Sequence, residues 1–372
     1  MYTMIAIPKF GTFLSNVPVR AQCKGKIISG RWPAYRTISS SPTTVQPFAI
    51  GKLLRGHSGR IYGIEKVLSE RLKPLLCVYR ASAEGESYII KNSLKGDFEY
   101  QQELQKPLVS CPNLRVIIDT VTDLELFVYH FMKDNLLQFC ERDLSVETRK
   151  SIFKSALTGL AELHDRSIIH GDIKPNNILL DYEEKIDGNL RIQNIRVSDL
   201  EDSVFLAPGK NIAGTKLGNQ FWRSPESWAR AKQNLSSDVF SMGIVGIYIM
   251  EKQMVFYEGL KDDDFAEGEA WKEILMRHIS FFWDETGFLA LLKHIGEDNA
   301  FFDRLIDLVN GSQKPMSPLR KWVYLDAQFR DLIVKMTNLD PASRISAREA
   351  LEHPFFDQLQ SEGAGQISGS ES

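Results

Sequence analysis

An α+β fold, with a small antiparallel sheet lobe carrying one helix and then a larger, mainly helical lobe, is what this 372-residue sequence predicts. Two changes of pattern carry that expectation. Between about Ile61 and Phe131, short runs rich in β-branched and aromatic residues (LLCVYRA, SYIIKN, LRVIID and LELFVYHF) alternate with polar, turn-like stretches, the pattern of strands in a small sheet. One helical candidate, DFEYQQELQKPLV, sits among them. From Leu144 onward the period becomes helical: Ile152, Phe153, Ala156, Leu157, Leu160, Ala161 and His164 recur at three- and four-residue steps. A composition of 43% hydrophobic and 25% charged residues is enough to bury a large core, as one domain or as two lobes.

Several function classes are excluded by composition. The longest apolar run, GIVGIYIM ending at Met250, falls short of the roughly 18 to 20 residues of a membrane span and reads as a buried core helix. Cys23, Cys77, Cys111 and Cys140 form no CxxC pair, so neither a zinc site nor a disulfide framework is expected. Residues 1 to 64 hold nine Lys or Arg and no Asp or Glu, which leaves −12 on the remainder of a chain whose net charge is −3. An acidic body argues against nucleic acid as a partner. Residues 1–57 read as a basic leader with the composition of a mitochondrial transit peptide, and YRTISSSP resembles a matrix-processing site. The alternative is a disordered basic tail on a cytoplasmic protein, because Pro8, Pro18 and Pro33 interrupt any long amphipathic helix. The Gly/Ser-rich residues 358–372 read as a disordered tail, and KDDDFAEGE as a solvated loop.

The chemistry concentrates in HGDIKPNN, residues 170–177. Phosphoryl transfer from a nucleotide requires a carboxylate for the acceptor hydroxyl, a cation beside the moving phosphoryl, and oxygen ligands for metal ions. Asp172 suits the first role and Lys174 the second, with Asn177 a neutral oxygen ligand for magnesium. Magnesium also takes one or two carboxylates, and VSDLED offers Asp199 at a strand end. The 22-position separation of Asn177 and Asp199 predicts a β-hairpin at DYEEKIDGNLRIQN.

HGDIKPNN resembles the catalytic loop of eukaryotic protein kinases. SDLED stands where that family has DFG, SPE (Ser224 to Glu226) where it has APE, and DVFSMG resembles the helix that anchors the loop. DPASRISAREALEHPFF resembles the last helix, with Arg344 expected to pair with Glu226. The resemblance covers about residues 58–357 and implies a bilobal protein kinase-like fold, with an N-lobe of about 58–131 and a C-lobe of about 132–357. It further implies ATP and Mg2+ as cofactors and a protein substrate or protein partner. By the same resemblance Lys91 in SYIIK grips the nucleotide phosphates and Glu103, preferred over Glu99, is its partner on the helix that Pro107 ends. Tyr129 and His130, near the expected gatekeeper and hinge, line the adenine pocket with Phe131. Lys174 favours serine or threonine acceptors.

Three departures stand out. SERLKPLLCVYRA holds no glycine where a phosphate-cradling loop is expected, and Glu201 replaces the glycine of DFG. Gly171 replaces an arginine that, in many kinases, binds a phosphate on the activation segment, so Gly171→Arg is expected to change little. The reading is therefore an active Ser/Thr protein kinase. A pseudokinase serving as a nucleotide- or protein-binding scaffold is the alternative, and a small-molecule phosphotransferase, a class in which HGD also occurs, is the third. GNQFWRSPESWAR and the long aromatic stretch from Met254 to Lys321, read as extra helical core, resemble divergent fungal kinase-like proteins.

Overall fold

The computed structural model describes residues 46–360 apart from 73–74, 95, 185–189, 258–259, 261–269 and 312–316. Cys23, most of the basic leader, the acidic run 261–269 and the end from 361 onward lie outside the described residues. A six-stranded antiparallel sheet forms first, from β1 (Leu53–Arg55), β2 (Ile61–Leu72), β3 (Leu75–Ala83), β4 (Glu86–Asn92), β5 (Asp119–Val121) and β6 (Leu126–His130), in the order β1-β2-β3-β4-β6-β5. Alternation in β3 turns Cys77, Tyr79, Ala81 and Ala83 inward, where they meet Tyr62, Ile64, Tyr88 and Ile90. The body begins before residue 58, which corrects the expected leader boundary. β1 pairs with β2, Phe48 stacks on Tyr79, and Ser58 donates to the Asp119 carboxylate through both its amide and its hydroxyl. The LRVIID stretch is a strand only from Asp119 on. Among the described residues the one α-helix of this lobe, α1 (Phe98–Gln105), ends where Pro107 forces a tight 3-10 turn.

The second lobe is built on α3 (Val146–His164), which follows β7 (Asp134–Asn135) and the short α2 (Leu136–Phe139). Ser145 caps α3 by accepting from the Thr148 amide, and the apolar stripe from Ile152 to Ala161 is fully buried. Next come β8 (Ile168–Ile169), the hairpin β9 (Ile178–Glu184) with β10 (Leu190–Val197), β11 (Val204–Phe205) and α4 (Pro225–Trp228). GIVGIYIM lies in α5 (Leu235–Glu251), which is apolar on almost every face and buried accordingly. Its two inner glycines allow close packing. A Cβ at Gly243 would lie 2.6 Å from Thr337 Cγ2, and one at Gly246 would lie 2.6 Å from the Phe153 ring. The aromatic stretch after Met254 supplies α6 (Ala270–Phe281), α7 (Glu285–Ile295) and α8 (Phe301–Asn310), whose Ile274, Leu275, Leu291 and Leu305 join the main core. Then α9 (Ala327–Met336) and α10 (Ala347–Leu351) close the lobe. Among the described residues no helix is long and apolar enough to cross a membrane.

Candidate active site

Between β8 and β9 the chain crosses the face of the helical lobe as an irregular loop, and its shape is set from below by one buried carboxylate. Asp238 on α5 accepts from the His170 amide at 2.7 Å, from the Gly171 amide at 2.9 Å and contacts His164 Nε2 at 3.2 Å. His164 is thus part of the scaffold, as its place on the periodic face of α3 implied. Gly171 has φ +78°, a left-handed conformation that costs an L-residue roughly 1 kcal/mol. This corrects the expectation that arginine there is neutral. Space is not the obstacle, since a Cβ would meet only ordinary contacts, the nearest being Asp202 O at 3.6 Å; the backbone angle is.

Asp172 projects from this loop with its two carboxylate oxygens in different surroundings. Lys174 Nζ lies 2.5 Å from Oδ2, while Oδ1 is buried and has no hydrogen-bond partner among the described residues. The Asn177 amide holds the loop closed by donating to the Asp172 carbonyl at 2.9 Å. Such an oxygen, rigidly held and unsatisfied, is suited to accept a proton or hydrogen bond from an incoming hydroxyl.

The β9–β10 hairpin brings the two magnesium candidates together. Pairing of Ile178 with Val197 closes it, and the Asn177 carbonyl accepts from the Ser198 amide at 2.7 Å, so Asn177 and Asp199 emerge side by side despite their separation in sequence. Asp199 takes a left-handed conformation, φ +65°, that turns its side chain toward β4. An amide oxygen and a carboxylate are the hard oxygen donors that Mg2+ prefers, and their adjacency fits that ion.

Lys91 meets this pair from the sheet lobe. Its ammonium lies 2.7 Å from Asp199 Oδ1 and 3.0 Å from Glu201 Oε1. Burial disfavours the ammonium, yet the two carboxylates outweigh it and raise the Lys91 pKa above its ordinary value. The same ammonium holds Asp199 well below the usual carboxylate range, whereas burial, with Asp199 beside it, pushes Glu201 upward.

Glu103 is not the partner of Lys91, contrary to the expectation. The buried face of α1 runs through Phe98, Gln101, Leu104 and Gln105, so Glu103 points to solvent with 76% of its side chain exposed, near Lys106. On the face turned toward the cleft, Gln101 Nε2 donates to the Glu201 carbonyl at 2.9 Å. Gln105 in turn contacts Gln101 Oε1 and accepts from the Ile117 amide. The carboxylate beside Lys91 therefore comes from the position read as a missing glycine. A glutamate there, together with glutamines at two of the inward positions of α1, was the available signal.

Beyond Lys91, Tyr129 is buried and donates to Glu201 Oε1 at 3.1 Å. Phe131 packs beside it and lies under the Arg80 guanidinium at 4.7 Å. The His130 side chain is exposed, against expectation, and stacks on Tyr88 at 5.9 Å, while its backbone carbonyl faces Arg115. That carbonyl accepts from Arg115 Nε at 2.8 Å and Nη2 at 2.6 Å, and Arg115 also lies over the Tyr129 ring at 5.0 Å. Sequence reasoning passed over Arg115, which sits in an apolar run with nothing nearby to mark it as buried. Above the cleft, β2 and β3 stay paired to Leu72↔Leu75, so strand pairing runs along the glycine-free stretch.

Glu226 of α4 and Arg344 form the expected pair, bidentate at 2.6 and 2.8 Å with both side chains fully buried. Despite burial, Arg344 keeps Glu226 below its ordinary pKa.

A family model described as "Protein kinase domain" matches residues 56–356. Among curated proteins, the chain is 27% identical over 220 residues to "Probable cyclin-dependent kinase 8" of Dictyostelium discoideum, covering 57% of this chain and 54% of that one. It is 26% identical over 245 residues to "Cyclin-dependent kinase B2-2" of Arabidopsis thaliana, covering 64% and 66%. With "Serine/threonine-protein kinase/endoribonuclease ire-1" of Caenorhabditis elegans it shares 27% identity over 214 residues, covering 56% and 17%. The chain thus spans between about half and two thirds of the length of the first two relatives, and less of the third.

Proposed function

The chain belongs to the protein kinase family, and from that premise we propose that it transfers the terminal phosphoryl group of ATP to a serine or threonine hydroxyl of a protein substrate. The observation that carries this reading is the Asp172 carboxylate, one oxygen held by Lys174 and the other buried and unpartnered, beside Asn177 and Asp199. Asp172 orients the acceptor hydroxyl, and Lys174 neutralises charge on the transferred group. Asn177 and Asp199 would hold Mg2+, which supplies charge neutralisation on the phosphate oxygens when bound. Lys91 binds those oxygens from the opposite lobe. The name of the ire-1 relative supports serine or threonine as the acceptor.

A second reading, a pseudokinase that binds nucleotide or protein without transfer, draws on two observations: the glycine-free stretch above the cleft and the Arg115 guanidinium on the His130 carbonyl. One series of measurements separates them. Mg2+ and ATP at millimolar concentration should raise the melting temperature by mass action on the folded state. Asp172→Asn should keep that rise while losing at least 100-fold in peptide phosphorylation, in the range typical of acid–base groups. Unchanged phosphorylation by Asp172→Asn would remove Asp172 from the chemistry. A thermal response without transfer by the wild type would establish the scaffold, and transfer to small alcohols alone a small-molecule phosphotransferase.

A further inference from the structure

In the helical lobe, a cavity of about 360 Å³ opens between α4, α6 and α8. Three aromatic rings, Trp228, Trp271 and Phe301, and three cations, Lys216, Arg230 and Arg304, form its walls, and none of its described lining residues carries a carboxylate. Two of the cations, Lys216 and Arg304, rest on the rings, and among the described residues neither has a carboxylate counter-ion. Lys216 Nζ sits 5.2 Å from the Trp228 centroid, and the Arg304 guanidinium lies 5.7 Å from Trp271 and 5.2 Å from Phe301. Such an arrangement leaves strong donors facing a common space, in a part-apolar setting where an anion gains more than it would in water.

Three further observations point the same way. Burial and the neighbouring Arg223, Arg230 and Arg304 together lower the Lys216 pKa, the signature of a cation whose surroundings supply no opposing charge. The Trp228 indole N–H is buried with no acceptor among the described residues. The positive charge also continues toward the catalytic loop: the Arg223 guanidinium lies 5.0 Å from the Trp228 centroid and interacts electrostatically with Asp172.

We infer that this cavity receives an acidic side chain, a carboxylate or a phosphate, of the protein substrate whose hydroxyl lies at Asp172. The inference rests on the phosphoryl-transfer reading for the identity of the occupant, and gives that reading a substrate class: serine or threonine flanked by acidic or already phosphorylated residues. Arg304 and Lys216 grip the anion from two sides, and the rings exclude water around it.

The test uses the full-length protein and three fluorescein-labelled peptides with a central serine, flanked by glutamates, by phosphoserine or by lysines. Fluorescence anisotropy without nucleotide should show binding of the two anionic peptides and none of the lysine peptide. Lys216→Glu and Arg304→Glu should each weaken that binding at least tenfold, as expected for loss of a charge-assisted contact. Lys106→Glu, on the opposite lobe, should leave it within twofold and so controls for net charge. The phosphoserine and glutamate arms identify which anion is preferred. Arg304 is exposed on α8, so its variant keeps the fold should Lys216→Glu perturb it. In peptide phosphorylation the same two variants should raise KM for the glutamate peptide and leave kcat near wild type. Failure of both anionic peptides to bind, or equal weakening by Lys106→Glu, overturns the pocket assignment while leaving transfer intact. Binding that is lost in the pocket variants, without transfer by the wild type, upholds the anion site and overturns the transferase reading.

Discussion

Lys91 stands between two carboxylates, of which Asp199 also neighbours Asn177 at the proposed magnesium position. Were Asp199 to hold Mg2+, Glu201 would be the anion left to keep the buried ammonium paired and aimed into the cleft. Glu201 is anchored for this: Tyr129 donates to its carboxylate and Gln101 to its carbonyl. Glu201→Gln keeps the shape and removes the charge, so it should raise KM for ATP roughly tenfold, the usual scale of a hydrogen bond to a charged group. kcat should fall much less. Glu103→Ala should change neither, because that side chain is in solvent. Steady-state kinetics of the two variants decide the matter: an unperturbed KM in Glu201→Gln, or a raised one in Glu103→Ala, would return the lysine partner to the helix. Sequence order offered the wrong glutamate because the facing of an eight-residue helix depends on its rotation against the sheet, and the inward face of α1 mixes Gln101 and Gln105 with only two apolar residues, Phe98 and Leu104.

At the scale of an element, α6 shows how an aromatic helix joins the core. His278 of this helix is buried, stacked on Phe256 with centroids 3.7 Å apart and on Phe240 at 5.8 Å, and its two ring nitrogens meet the carbonyls of Ile274 and Arg223. Burial lowers its pKa from 6.5 to about 4, despite those carbonyls. A base whose folded pKa is depressed is neutral in both states at high pH. As pH falls below 6.5 the unfolded chain takes up the proton first, so stability is lost progressively down to about pH 4. The loss from this one residue is on the order of 3 kcal/mol across that window. His278→Phe should therefore flatten the decline of melting temperature between pH 7 and pH 4.5, whatever it does to the melting temperature at pH 7. An equally steep decline would show that His278 is not the group responsible. Aromatic content and helical period made α6 to α8 legible as core; which histidine would be enclosed by rings from α5 and from the segment after it was not, since those contacts join distant parts of the chain.

Across the whole molecule the site exists only where the lobes meet. Lys91 comes from the sheet, Asp172 and Asn177 from the loop on the helical lobe, and Asp199 from the strand end between them. Asp199→Asn should differ from Asp172→Asn for that reason. It removes charge both from the proposed magnesium position and from Lys91, so it should abolish phosphorylation and also most of the thermal stabilisation by Mg2+ and ATP. Calorimetric or fluorescence melting with and without nucleotide makes the comparison. A full nucleotide response in Asp199→Asn would move the metal site elsewhere.

Motifs and periodicity were enough to establish the two-part α+β architecture, the loop around Asp172, the hairpin between Asn177 and Asp199 and the pair Glu226 with Arg344. These are legible because local chain chemistry dictates them: a strand alternates, a helix repeats, and a short loop carries its reacting groups in fixed order. The tertiary structure decided what depends on how separate elements meet. It set which glutamate faces Lys91, that Arg115 reaches the His130 carbonyl, that glycine at 171 serves a left-handed turn, and that Lys216, Arg230 and Arg304 share one aromatic cavity. A buried charge takes whichever partner packing brings within about 3 Å, and that distance is fixed by the rotation and approach of whole elements, which no local pattern encodes.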